Sequence, residues 1–200
     1  MQSDNPLSRR NFLKSTLVAG TAGVMGGIPL LTSCSTSKTK KSEEHQLPLL
    51  REQAPDGTVI KAGLIGCGGR GTGAAIDFLN AGPNLQIVAL GDVFKDKLDA
   101  CRDVLKKEKN VDVPDENCFI GFDSYQKVMD AGIDVVLLCT PPHFRPTHVE
   151  AAVEARKHIF MEKPIAVDPM GVRKVLASVK RAQSMNLNIV SGTIRRSQKD

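Results

Sequence analysis

Tryptophan is absent from the 200 residues, tyrosine occurs once and phenylalanine seven times. So thin an aromatic complement argues against a platform on which sugars or bases would stack. Charge of one sign is scarce as well. Residues 1–33 hold Arg9, Arg10 and Lys14 against Asp4, and the other 167 carry 24 bases and 21 acids, +3 of the whole chain's +5. That balance excludes the dense basic face of a nucleic-acid binder. No apolar run is long enough to cross a bilayer, which takes roughly 18 residues or more. The longest, residues 17–31, is interrupted by Gly20, Gly23, Gly26, Gly27 and Pro29. With 41% apolar and 24% charged residues, disordered, collagen-like and polytopic membrane classes are excluded too.

What is present begins with a leader. Residues 1–33 run from a basic start through a weakly apolar middle to small residues, the layout of a signal peptide, and are set aside from the fold. The run Ser8-Arg9-Arg10-Asn11-Phe12-Leu13-Lys14 resembles the twin-arginine export motif, so the export machinery is an expected partner. Leu31-Thr32-Ser33-Cys34 resembles a bacterial lipobox, in which Cys34 would carry the lipid; the alternative is an ordinary cleavage site beside a cysteine. A lipid there would supply the anchoring that the removed peptide cannot. Residues 34–55, rich in Ser, Thr, Lys and Glu, then read as a flexible tether holding the protein at the periplasmic face of a membrane.

Five cysteines in an exported chain invite a disulfide framework. We expect none. Cys34 is assigned to lipid, Cys67 sits in a glycine turn, Cys139 ends an apolar strand, and a twin-arginine substrate folds in the reducing cytoplasm.

From Thr58 onward, short apolar runs alternate with helical patterns, which predicts an α/β fold with a Rossmann-type, doubly wound parallel sheet over residues 56–200. Strands are expected at 59–65, 85–90, 118–120, 134–139, 158–161 and 188–190. Helices are expected after the glycine turn, at 95–107, at 124–129 with Ser124 as cap, at 147–156 and at 169–185.

The first chemistry-bearing motif is Gly66-Cys67-Gly68-Gly69-Arg70-Gly71, between a predicted strand and a predicted helix. The first glycine of such a run permits the tight turn, the second lets a pyrophosphate approach the backbone, and the third lets helix and strand pack closely. Free amides at the helix start face the phosphates. Asp92 stands 21 residues past Gly71, where a carboxylate accepts from an adenosine ribose; capping the next helix is its other reading. A carboxylate there repels a 2′-phosphate, favouring NAD over NADP, with Lys95 as a complication. No metal site is read from the sequence.

The second motif is Glu162-Lys163-Pro164 at the exit of the fifth strand. Together with Cys139-Thr140-Pro141-Pro142-His143, Glu154-Ala155-Arg156-Lys157-His158 and Gly192-Thr193-Ile194-Arg195-Arg196, it makes residues 61–196 resemble the Gfo/Idh/MocA oxidoreductases. The resemblance implies that Lys163 is catalytic, lying between nicotinamide and sugar and moving the proton of the substrate hydroxyl. It implies that Thr140 and Pro141 line the nicotinamide ribose, that Glu162 holds that region, and that His143 either faces the cofactor or caps the following helix. A small-molecule sugar substrate is implied, and a second domain that completes the pocket and through which a homo-oligomer forms.

Two positions depart from the family pattern: Arg145 stands where histidine is common, and Arg156 where a helix-ending glycine is common. Arg156 is expected to take a left-handed conformation at a cost of about 1 kcal/mol. Because the chain stops at Asp200, it is expected to be a fragment or to lack half of an active site. Three functions follow as expectations. The first is an exported NAD-dependent oxidoreductase of a sugar or polyol, its cofactor loaded before transport. The second is a glycosidase using bound NAD for transient oxidation, against which the lysine of Glu-Lys-Pro argues. The third is a dinucleotide-binding module without turnover.

Overall fold

The computed structural model describes residues 57–193. The leader, Cys34 and the tether lie outside them, as do residues 194–200. Six strands, β1 (Ile60–Ile65), β2 (Leu85–Asp92), β3 (Cys118–Ile120), β4 (Val135–Leu138), β5 (His158–Glu162) and β6 (Ile189–Gly192), form one sheet in the order β3-β2-β1-β4-β5-β6. Every pairing is parallel. Five helices connect them: α1 (Gly69–Asn80), α2 (Lys95–Lys109), α3 (Ser124–Asp130), α4 (Arg145–Glu154) and α5 (Pro169–Ser184). The doubly wound parallel sheet predicted from the alternation is therefore present.

Strand residues alternate between two buried layers, as the period of two along a strand requires. Ile65, Val136 and Leu138 pack with Val128 of α3, Val149 and Val153 of α4 and Val175 of α5. Leu64 and Leu137, from the opposite pleats, pack with Ala75 of α1 and Leu98 and Leu105 of α2. The second layer thus has two helices for six strands. On that side a hollow of about 960 Å³ lies along Ile60, Phe78, Leu137, Phe160 and Val190.

Several boundaries differ from expectation, each for a local reason. Helix α4 starts at Arg145 rather than Thr147, because Pro146 occupies the first turn, where its missing N–H and fixed φ cost nothing. Ser124 does not cap α3; Asp123 precedes the helix and no side chain makes the capping bond. Ser124 is buried instead, and a Cβ on Gly91 would lie 3.3 Å from its Oγ. β2 continues to Asp92 and α2 to Lys109, where Asn110 takes a left-handed φ of 54° that asparagine tolerates. Arg156 follows α4 with φ 56°, the strained position its place in the sequence predicted.

Candidate functional site

The strand order reverses between β1 and β4, and in open parallel sheets ligands bind at the carboxyl ends of strands flanking such a switch point. Here the glycine turn after β1 lies against the loop after β4. Gly66 has φ +95°, and a Cβ on it would lie 2.8 Å from the Cys139 carbonyl carbon and the Thr140 nitrogen. Gly71 is held as tightly from behind, since its Cβ would sit 1.8 Å from the Gly66 carbonyl oxygen. Gly68, by contrast, precedes α1 with nothing within 4 Å of its Cβ position. Two glycines close the turn and the one between them stays open, the arrangement a pyrophosphate needs to reach the backbone and the helix N-terminus. Gly69 is the first residue of α1 and its Cβ position is also free.

Asp92 ends β2 with both oxygens engaged: Oδ2 accepts from the Cys67 amide at 2.6 Å and Oδ1 from the Phe94 amide at 2.9 Å. Each oxygen keeps a second lone pair for a ribose hydroxyl. The carboxylate therefore organises the turn as well as facing the cleft, a role that neither of its two sequence readings contained. Lys95 is drawn away to Asp99 at 2.6 Å, and it is Lys97 that lines the cleft.

A cleft of about 740 Å³ opens over this region. Gly66, Gly68, Arg70, Asp92, Thr140, Pro141, Glu162 and Lys163 line it, so most of the residues singled out in the sequence converge there. Gly69, Gly71 and His143 do not line it. His143 is exposed, and Phe144 rather than His143 precedes α4 with no side-chain capping bond, so the capping reading of this histidine does not hold.

The far wall is a polar cluster. Glu162 is buried and accepts from Arg70 Nη2 at 2.6 Å, which joins the end of β5 to the first turn of α1. Thr140 Oγ1 lies 3.2 Å from Nδ1 of His148, whose ring stacks on Tyr125 with centroids 4.5 Å apart. Burial, and then the charge of Arg145, push the His148 pKa down to about 4, so the imidazole is neutral at physiological pH. Burial, with the Glu162 carboxylate nearby, pushes the Cys139 thiol up to about 12. The four described cysteines are free thiols.

Two features of the site were missed in the sequence. Arg145, noted in the sequence only as a departure from the family pattern, is 2% exposed and donates to the carbonyls of both Thr140 and Pro164. The scarcity of aromatics also misled, because those present are concentrated. Phe94, Phe122, Tyr125 and Phe144 all line the cleft, and Phe94 and Phe122 are 63% and 71% exposed. The signal was available: Phe94 and Phe122 each stand two residues beyond a strand end, on the side where strands of a parallel sheet present their ligand loops.

Residues 60–189 match the family described as "Oxidoreductase family, NAD-binding Rossmann fold", Gfo/Idh/MocA. Residues 6–26 match the signal sequence of the twin-arginine translocation pathway. A glycosyl hydrolase family 109 protein of Shewanella baltica is 27% identical over 179 residues, covering 88% of this chain and 38% of the relative. Myo-inositol 2-dehydrogenase of Thermotoga maritima is 28% identical over 123 residues, 62% of this chain and 34% of the relative. Among solved structures, scyllo-inositol dehydrogenase of Lactobacillus casei with bound NAD(H) and scyllo-inositol superposes with a TM-score of 0.57 and 29% identity, covering 71% of this chain and 38% of that one. The chain thus spans under two-fifths of the length of these relatives. Fold, turn and family match agree: the chain belongs to the Gfo/Idh/MocA oxidoreductases and carries their NAD-binding Rossmann domain behind a twin-arginine signal sequence.

Proposed function

We propose that this domain is the cofactor half of an exported enzyme that oxidises or reduces a sugar or polyol hydroxyl, with NAD held in the cleft at the switch point. The observation that carries the reading is that Lys163, at the exit of β5, lines the same cleft as Gly68, Asp92 and Thr140. In this reading the open face of Gly68 and the start of α1 receive the pyrophosphate, and Asp92 accepts from the adenosine ribose. The exposed rings of Phe94 and Phe122 cover the adenine. Bound NAD supplies the hydride acceptor. Lys163 holds the substrate hydroxyl and, in the oxidation direction, its amine takes the hydroxyl proton to become ammonium as hydride leaves the same carbon for NAD. Glu162 is committed to Arg70 and keeps the Glu-Lys-Pro loop in place. A substrate fixed in near-attack geometry needs a further wall, which in this reading comes from the second domain of the longer protein.

Export sets the remaining terms of the proposal. The protein works in the periplasm, tethered to the membrane through a lipid on Cys34, and its NAD is loaded before transport and stays bound. A second reading, a glycosidase working through transient oxidation at bound NAD, is favoured by the similarity to glycosyl hydrolase family 109 proteins and opposed by Lys163.

The test uses the full-length protein with its second domain. Inositols and hexoses are offered with NAD and the appearance of NADH is followed, while a set of glycosides is screened for sugar release. NADH formation that is lost in Lys163→Ala with NAD affinity retained supports the oxidoreductase. Sugar release that survives Lys163→Ala supports the glycosidase instead.

A further inference from the structure

Arg145 is a buried cation with no carboxylate in direct contact, the charge of Glu162 acting on it only from a distance. Among the described residues it forms no salt bridge, and its Nε is the one buried side-chain nitrogen or oxygen without a hydrogen-bond partner. Burial lowers its pKa from the usual arginine value. A buried charge with an orphaned donor is costly, and an apolar side chain of similar volume would fill the space at less expense to stability. What the guanidinium does achieve is geometric. One terminal nitrogen donates to the Thr140 carbonyl and the other to the Pro164 carbonyl. Thr140 belongs to the loop after β4 and Pro164 to the loop after β5, so a single planar group spans the two loops that carry Thr140 and Lys163 to the cleft. The hydroxyl of Thr140 is fixed independently by His148 Nδ1 at 3.2 Å. A lysine offers a point charge on a flexible stem and lacks the rigid fork that spans two carbonyls.

We propose that Arg145 is a positioning residue for the nicotinamide half of the cofactor: by tying the Thr140 carbonyl to the Pro164 carbonyl it sets the width of the cleft between the two loops that flank the nicotinamide. The inference rests on the reading of the cleft as the NAD site given above. It assigns a task to a position where the chain departs from the common histidine, and it separates the cleft into two halves under different control. The glycine turn and Asp92 hold the adenosine diphosphate half, and Arg145 governs only the other.

The experiment compares NAD⁺ with adenosine diphosphate, which lacks the nicotinamide riboside, by calorimetric titration of the full chain and of its Arg145→Met and Arg145→Lys variants. In Arg145→Met, NAD⁺ affinity falls about tenfold, the equivalent of about 1.4 kcal/mol, and adenosine diphosphate affinity stays within twofold of the unmodified chain. Arg145→Lys loses part of the NAD⁺ affinity and none of the adenosine diphosphate affinity. Should Arg145→Met fail to fold, Arg145→Lys carries the same comparison. A parallel fall for both ligands, or no change in either, overturns the proposal, because Arg145 is then a support for the whole fold or for nothing in the cleft. Failure of the underlying reading is distinct and visible in the unmodified chain, which would then bind neither ligand.

Discussion

The Cys67 amide lies 2.6 Å from Asp92 Oδ2, so the carboxylate that ends β2 holds the glycine turn in shape before any ligand arrives. Asp92→Ala should therefore show two losses. Two backbone amides, that of Cys67 in the turn and that of Phe94 before α2, lose their acceptor, expected to cost about 1–3 kcal/mol of stability, and NAD loses a charged hydrogen-bond partner, expected to cost about 1.5–3 kcal/mol of affinity. Thermal unfolding reads the first and calorimetry the second. Asp92→Asn keeps one carbonyl oxygen to accept and so should lose less stability, while the charge that disfavours a 2′-phosphate is gone in both variants and discrimination against NADP should weaken in each. Unchanged NAD affinity in Asp92→Ala would leave Asp92 with the turn alone.

Two glycines of the same turn should respond oppositely to alanine. Gly71→Ala places a Cβ 1.8 Å from the Gly66 carbonyl oxygen, a clash with backbone that has no flexible side chain to yield, and should destabilise by at least the ~1–3 kcal/mol usual for overpacking. Gly68→Ala meets nothing within 4 Å and should leave the unfolding temperature unchanged while weakening NAD binding, because the new methyl occupies the pyrophosphate's approach. The pair is read by unfolding temperature and NAD titration on each variant. Equal NAD affinity in a stable Gly68→Ala would move the pyrophosphate elsewhere.

How much of this was legible in the sequence depended on how local the information was. The glycine turn, Asp92 and the strand–helix alternation are written in short segments whose spacing carries its own physics, and the turn lies between β1 and α1 with Asp92 at the end of β2, where the spacing put them. Arg145 was not legible. Its two partners lie on loops that meet only because β4 and β5 are neighbours in the sheet, and Thr140 and Pro164 say nothing of each other along the chain. The phenylalanines were legible by position and not by count, since a low total gives no hint of a cluster while Phe94 and Phe122 each stand two residues past a strand end. The helix cap read for His143 failed in the opposite direction: it was placed from local sequence alone, and α4 begins earlier, at Arg145, with Phe144 before it and His143 exposed.

His148 should set an acid limit on the stability of the domain. The unfolded chain binds this proton near pH 6.5 and the folded one only near pH 4. The stabilisation from a neutral, buried imidazole is therefore complete above about pH 6.5 and is lost as pH falls toward 4, and at ~1.4 kcal/mol per unit it amounts to about 3 kcal/mol. His148→Phe keeps a ring against Tyr125 and removes the titration. The variant should lose less stability than the unmodified chain between pH 7 and pH 4, measured as the difference between their unfolding temperatures across that range. Parallel curves would place the acid sensitivity in other groups.

Replacing Arg9 and Arg10 together with lysine should leave full-length precursor in the cytoplasm, since the matched signal at residues 6–26 includes both. Cys34→Ala should release soluble protein into the periplasm or block processing, as followed by cell fractionation and intact mass. Soluble periplasmic product from the unmodified sequence would remove the lipid anchor from the proposal while leaving the export signal in place.

The parallel sheet has a consequence in time. No two neighbouring strands are joined by a hairpin, and the central contact, Ala62 against Val135, closes only after β2, β3 and three helices have been made between them. Contacts so distant along the chain form late and slowly. The matched export signal, in contrast, ends at residue 26 and is made long before β4. For a route that accepts folded cargo, the meeting of β1 with β4, the same event that creates the switch point, is expected to precede the export of this domain.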